Sequence, residues 1–319
     1  MSMYSESQFS TPTITGLAHA DRQDTSVVEL IEALQNSETR ERALLLLSKN
    51  RVIREDLAPL LWHSFGTIAA LLQEIISVYP SLSSPYLTER VSNRVCNALA
   101  LLQGVAAHSN TKMLFIKANI PLYLHPFVNN TNKERPHEYL RLASLGVIGA
   151  LVKVDDAQVI HFLLNSEIFP SFLRCMEVGA ELSKTVATFI VHRILLNEDG
   201  LKYCCILADR FFAIGHVLGN MIEKLAEDGR LAEDISKRLL KHIIWCYQRL
   251  SENPRACDGL RCCLPTKLRE PSFISVLRDD ETAMLCLQKL FHNVATGHWS
   301  RTRTVGQSVG QSFGRLIRG

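Results

Sequence analysis

The chain has 319 residues, of which 47% are hydrophobic and 21% charged, with a formal net charge of +3. That length allows a large core, and the balance is that of an ordinary globular protein rather than a disordered or strongly nucleic-acid-like one. No apolar run reaches the roughly 18–20 residues that a bilayer requires, so no membrane association is expected. Residues 1–24 lack the charged-then-apolar order of a signal peptide, which points to an intracellular protein.

Residues 1–24 are rich in Ser, Thr and Gln, carry −2 from Glu6, Asp21 and Asp24 against Arg22, and read as a flexible leader. From there to residue 297 the chain reads as successive helices. Val27, Val28, Leu30, Ile31 and Leu34 make an amphipathic first helix, and Ser37 is the expected N-cap of a second. Runs of strict apolar–polar alternation are few, so the fold class is all-α.

Helix ends recur. Five similar polar loops end at Asn50, Asn110, Asp156, Asp199 and Asn253, at intervals of 60, 46, 43 and 54 residues. Armadillo and HEAT units run about 40–47 residues, so two intervals fit directly and two require insertions. The polar segment 225–236 is one such insertion. Pro121 and Pro170, 49 residues apart, stand in apolar runs where proline suits the first turn of a helix. The pattern predicts an armadillo/HEAT-like right-handed α-solenoid over residues 25–297, each unit burying its core against its neighbours.

Residues 298–319 carry Arg301, Arg303, Arg315 and Arg318 with no acid, and Gly306, Gly310 and Gly314 among Gln and Ser. They read as a basic flexible tail.

Arg94 lies 16 residues before Asn110, and Arg141, Lys184 and Arg238 each lie 15 before the ends of the following loops. With the last helix of each repeat on the concave face, these four cations would form a stripe along a groove suited to a peptide, an acidic partner or nucleic-acid phosphates. No aromatic platform is interleaved with them, which weighs against stacking of single strands. Gly146 and Gly149 stand inside an apolar helix, where each glycine costs about 1 kcal/mol relative to alanine, so a neighbouring helix or a guest is expected against that backbone.

Catalytic motifs are missing: there is no Gly-rich phosphate loop, G-x-S-x-G or H-E-x-x-H. His63 and His192 lie on apolar helices and read as core or interface histidines. The nine cysteines include no C-x-x-C pair, and Cys257, Cys262 and Cys263 lack a partner pair at zinc spacing, so buried free thiols are expected. No enzyme, cofactor or metal is anticipated.

The run LAPLLWHSFGTIAALLQEI from Leu57 to Ile75 closely resembles the "required for cell differentiation" family. The resemblance continues through SNRVCNALALLQ from Ser92, EYLRLASLGVIGALVK from Glu138, ELSKTVATFI from Glu181, and Arg238–His242 to Asn253–Ala256, covering roughly residues 25–295. It implies the armadillo-repeat subunit of the Ccr-Not deadenylase complex, a non-catalytic cytoplasmic adaptor in mRNA decay and translational repression, also present in processing bodies and the nucleus.

On that resemblance His63, Phe65, Ala69 and Ile76 dock on a helical domain of the Not scaffold. Tyr139, Gly146 and Val186 receive short helical peptides of RNA-associated regulators. Arg94, Arg141 and Arg238 border the same groove, and single-stranded nucleic acid is the alternative ligand. Arg210, Pro254 and Arg255 match a convex region that takes tryptophans of silencing proteins. An aromatic residue of that region is here Ala208, so weak tryptophan binding is expected. The family also admits a homodimer.

Overall fold

The computed structural model describes residues 26–50, 56–83, 87–229 and 231–297, and the leader before Ser26 and the tail after Gly297 lie outside them. The described residues are helical, with no strand among them.

A capping pair comes first, α1 (Val27–Ala33) and α2 (Arg40–Asn50). Ser26 and Glu29 close a reciprocal capping box at α1, which satisfies two first-turn donors. Ser37 is not a cap. The turn is held by Asn36, whose Oδ1 accepts from the Glu38 amide at 3.0 Å, and α2 starts only at Arg40.

Five three-helix units follow. The first is α3 (Leu57–His63), α4 (Thr67–Ser77) and α5 (Glu89–Ala107), and the second is α6 (Ser109–Lys117), α7 (His125–Val128) and α8 (Arg135–Val152). The third is α9 (Ala157–Asn165), α10 (Phe169–Val178) and α11 (Glu181–Leu196), and the fourth is α12 (Glu198–Ile206), α13 (Ala208–Glu227) and α14 (Asp234–Leu250). The last is α15 (Pro254–Cys263), α16 (Pro271–Leu277) and α17 (Glu281–Thr296).

The polar loops seen in the sequence follow the long helices because the next helix needs acceptors for its free first-turn N–H groups. Asp156 caps α9, Asn197 caps α12 and Asn253 caps α15, while His108 Nδ1 accepts from the Asn110 amide at the start of α6. Half of the polar segment 225–236 is helical. Leu225 is buried in α13, Ser236 is buried in α14, and only 228–233 connect the two helices.

The long third helices pack in series, α2 on α5, then α8, α11, α14 and α17, and form a ladder. Leu99, Leu102, Leu145, Ile148, Ile190, Ile194, Leu240, Ile243 and Leu290 are buried along it. Polar contacts pin the starts of neighbouring rungs. Ser92 Oγ donates to the Pro136 carbonyl at 2.7 Å, the Ala180 amide donates to Glu138 Oε1 at 3.1 Å, and Ser236 Oγ donates to Glu181 Oε1 at 2.5 Å. The result is an all-α solenoid with the long helices side by side along one ladder.

All nine cysteines are free, six of them buried, and the described residues hold no cluster of three metal-ligating side chains. Burial pushes the Cys96 and Cys175 thiols up to about 12, so they act as apolar filler rather than nucleophiles. No single described helix is long and apolar enough to cross a membrane.

Candidate binding surfaces

The first surface is the α3–α4 turn and the outer stripe of α4. Gly66 has a left-handed φ of 72° and caps α4, and a Cβ there would lie 2.6 Å from Gln35 Oε1. Gln35 Nε2 donates to the Phe65 carbonyl at 2.8 Å and fixes the turn from below. Phe65 is thereby thrown outward and is 99% exposed. His63 and Ala69 are exposed and Ile76 is 42% exposed, with Leu72 half-buried between them. Residues 69, 72 and 76 share one face of α4, while Phe65 stands in the turn before it and His63 ends α3.

Glu74 on the opposite side of α4 is a feature the sequence reading missed. Its buried carboxylate takes Arg94 Nε at 2.6 Å, Arg94 Nη2 at 2.7 Å and Arg40 Nη1 at 3.2 Å. This ties α4 to α2 and α5 and holds the exposed stripe rigid. A lone acid inside an apolar helix was the available signal, since a buried carboxylate needs partners.

The groove departs most from expectation. Arg141 is not part of a basic stripe: it is 0% exposed, pairs with Glu138 on its own helix, and donates to the carbonyls of Asn130 and Asn132 at 2.7 Å each. Arg94 is half-buried and neutralised by Glu74 and Glu41. Lys184 is half-buried, and burial, followed by the nearby Lys224, lowers its pKa. Arg238 alone of the four is exposed.

Among the peptide-groove candidates, Tyr139 is half-buried, with the Arg135 guanidinium 5.9 Å from its ring centre. Gly146 is buried beside the neighbouring rung, and a Cβ there would meet Gln103 Nε2 at 3.6 Å, an ordinary contact that packing would also allow an alanine. Val186 is 1% exposed and belongs to the core, because α11 is buried at twelve of its sixteen residues. The accessible stripe of α8 is instead Tyr139, Leu142, Ala143 and Ala150, all half-buried.

Toward the last repeats the ladder buries an unforeseen aromatic stack. The His192 ring lies on Trp245 at 5.5 Å, and His242 meets Trp245 edge-on at 5.0 Å. His192 Nδ1, His242 Nδ1 and Trp245 Nε1 are buried without a hydrogen-bond partner. Burial drives the His242 pKa down to about 3 and His192 well below its ordinary value, so both rings are neutral.

On the convex side the Arg210 guanidinium lies 3.6 Å over the Tyr203 ring and donates to the Tyr203 carbonyl. Pro254, Arg255 and Ala208 are exposed, as are Leu207 and Phe212. Tyr203 thus occupies one face of Arg210.

With this geometry in view, three kinds of similarity bear on the chain. A designed armadillo repeat protein superposes with a TM-score of 0.58 at 13% identity over 84% of this chain and all of that one. Another designed armadillo repeat protein, solved in complex with the peptide (KR)4, gives 0.56 at 14% identity over 84% of this chain and 99% of that one. Both establish the armadillo architecture. In sequence, the cell differentiation protein rcd1 of Schizosaccharomyces pombe is 53% identical over 269 residues, covering 84% of this chain and 93% of that protein. Protein CAF40 of Saccharomyces cerevisiae is 50% identical over 275 residues, 86% of this chain and 72% of its own length. The family described as cell differentiation, Rcd1-like, matches residues 30–294, and with these relatives it places the chain as a member of that family.

Proposed function

We propose that this protein is a non-catalytic adaptor subunit of the cytoplasmic Ccr-Not deadenylase complex, docking on the Not scaffold through the α3–α4 face and taking regulator peptides in the groove. The observation that carries this reading is Phe65. A 99% exposed phenylalanine heading an apolar stripe, on a turn held by Gly66 and Gln35, has the form of an interface anchor. Covering its side chain would contribute about 1.5–3 kcal/mol.

The burial of Arg141 and the ion pairing of Arg94 remove half of the positive stripe and favour peptide over nucleic acid in the groove. The test is co-purification of the full chain with the helical domain of the Not scaffold, together with binding of a regulator's helical peptide. His63→Ala with Phe65→Ala should lose the scaffold and keep the peptide. Ala143→Arg, on the half-buried stripe of α8, should do the reverse. Scaffold binding that survives the first pair of substitutions would overturn the assignment.

A further inference from the structure

We infer that Gln35 is a positioning residue for scaffold docking, acting through the Phe65 carbonyl; this rests on the adaptor reading above. A side chain that is 99% exposed has no packing of its own to aim it, so the direction of Phe65 is set by the backbone of its turn. That backbone is sparsely bonded. The Ser64 amide donates to the Leu60 carbonyl and the Thr67 amide to that of Ser64, but no backbone N–H of the described residues reaches the Phe65 carbonyl. Its donor is Gln35 Nε2 at 2.8 Å, which also lies 3.4 Å from Thr67 Oγ1 in the first turn of α4.

Gly66 shows the same pairing from the other side. A Cβ there would lie 2.6 Å from Gln35 Oε1, so the amide group of Gln35 occupies the space that a side chain at 66 would need. Gln35 is in turn held by Arg40. The Arg40 guanidinium donates to the Leu34 carbonyl at 2.6 Å and to the Gln35 carbonyl at 3.3 Å, and it reaches Gln73 Oε1 at 3.3 Å and Glu74 Oε1 at 3.2 Å on α4. The end of α1, the turn and α4 are thereby closed into one ring of hydrogen bonds. Gln35 itself is exposed, so core packing does not account for the arrangement. An anchor already fixed in its bound direction loses less freedom on docking, and the gain goes to affinity rather than to stability.

The experiment compares the full chain with Gln35→Glu, a variant of nearly the same shape whose carboxylate cannot donate to a carbonyl, each with Phe65 intact and as Phe65→Ala. Calorimetry measures binding to the helical domain of the Not scaffold, thermal melting reports stability, and NMR relaxation gives the amide order parameters of the turn. Gln35→Glu should weaken scaffold binding about fivefold, leave the melting temperature in place and lower the order parameters of Phe65 and Gly66. In the Phe65→Ala background it should add no further loss, because the side chain it positions is gone. An equal loss in both backgrounds, which would make Gln35 a direct contact, an unchanged affinity with Phe65 intact, or unchanged order parameters would each overturn the proposal. A parent chain that ignores the scaffold, or a Phe65→Ala chain that binds it as tightly, would sink the adaptor reading, and the order parameters would still decide whether Gln35 fixes Phe65.

Discussion

Arg249 of α14 donates its Nε–H to the Leu195 carbonyl oxygen in the last turn of α11, 2.9 Å away and buried. The same clasp occurs one repeat earlier, where Arg193 of α11 donates to the Val152 carbonyl at the end of α8, also at 2.9 Å. Each arginine satisfies carbonyls that have no acceptor role left within their own helix and meets the negative end of its dipole. Arg249 also holds Leu196, Glu198 and Glu252. Removing it with Arg249→Ala leaves several acceptors orphaned, and a loss of about 3 kcal/mol is expected. Hydrogen exchange should show the loss concentrated at the α11–α14 junction, with the amides of α5 unaffected, because repeats couple to nearest neighbours.

The His192–Trp245–His242 stack gives the same junction a pH dependence. Both histidines bind protons more weakly when folded than when unfolded, so their neutral burial is fully compatible with the fold above the ordinary histidine pKa near 6.5. As pH falls below that value the unfolded chain takes up protons first, and stability declines toward the folded pKa of His242, about 3. The slope is about 1.4 kcal/mol per pH unit for each histidine. Thermal melts between pH 7 and pH 4.5 should show this fall, and His242→Phe should shallow it. An unchanged slope would rule out His242 as its source.

The solenoid was legible because its signals are periodic. Polar residues at His108, Asp156 and Asn253 mark where each long helix has stopped, and the structure makes each the N-cap of the next helix. The exposed stripe was legible through motif resemblance. The cation stripe was misread because an arginine's spacing does not reveal what meets its guanidinium. Arg141 is buried by the Asn130 and Asn132 carbonyls, whose position depends on the turn before α8, and Arg249 was passed over because its acceptors lie 53 and 54 residues away in sequence. Val186 was likewise placed on a face, although α11 has neighbours on every side.

Phe65 and Gly66 separate interface from fold. Phe65→Ala removes a side chain with no buried contacts, so stability should stay within about 0.5 kcal/mol of the parent. Scaffold affinity should fall by about 2 kcal/mol or more, roughly thirtyfold. Gly66→Ala should cost about 1–2 kcal/mol in stability through its positive φ and the contact with Gln35. It should also weaken the scaffold by moving the turn. Urea denaturation and a scaffold pull-down on both variants would check the pair, and a destabilised Phe65→Ala would contradict the exposed placement.

Two helical glycines should respond oppositely to a single methyl group. At Gly146 the added Cβ lies 3.6 Å from Gln103, an ordinary contact, so Gly146→Ala should gain up to about 1 kcal/mol of helix stability. At Gly259 the same atom would lie 2.4 Å from Phe211 Cε1 and 2.9 Å from its Cζ, in a ring that is itself buried against α15. The ring must move, at a cost of about 1–3 kcal/mol for overpacking. Denaturant midpoints of the two variants should therefore shift in opposite directions. If Gly146→Ala keeps its stability gain yet weakens a groove peptide, the glycine serves the guest; if affinity is unchanged, it serves neither guest nor packing.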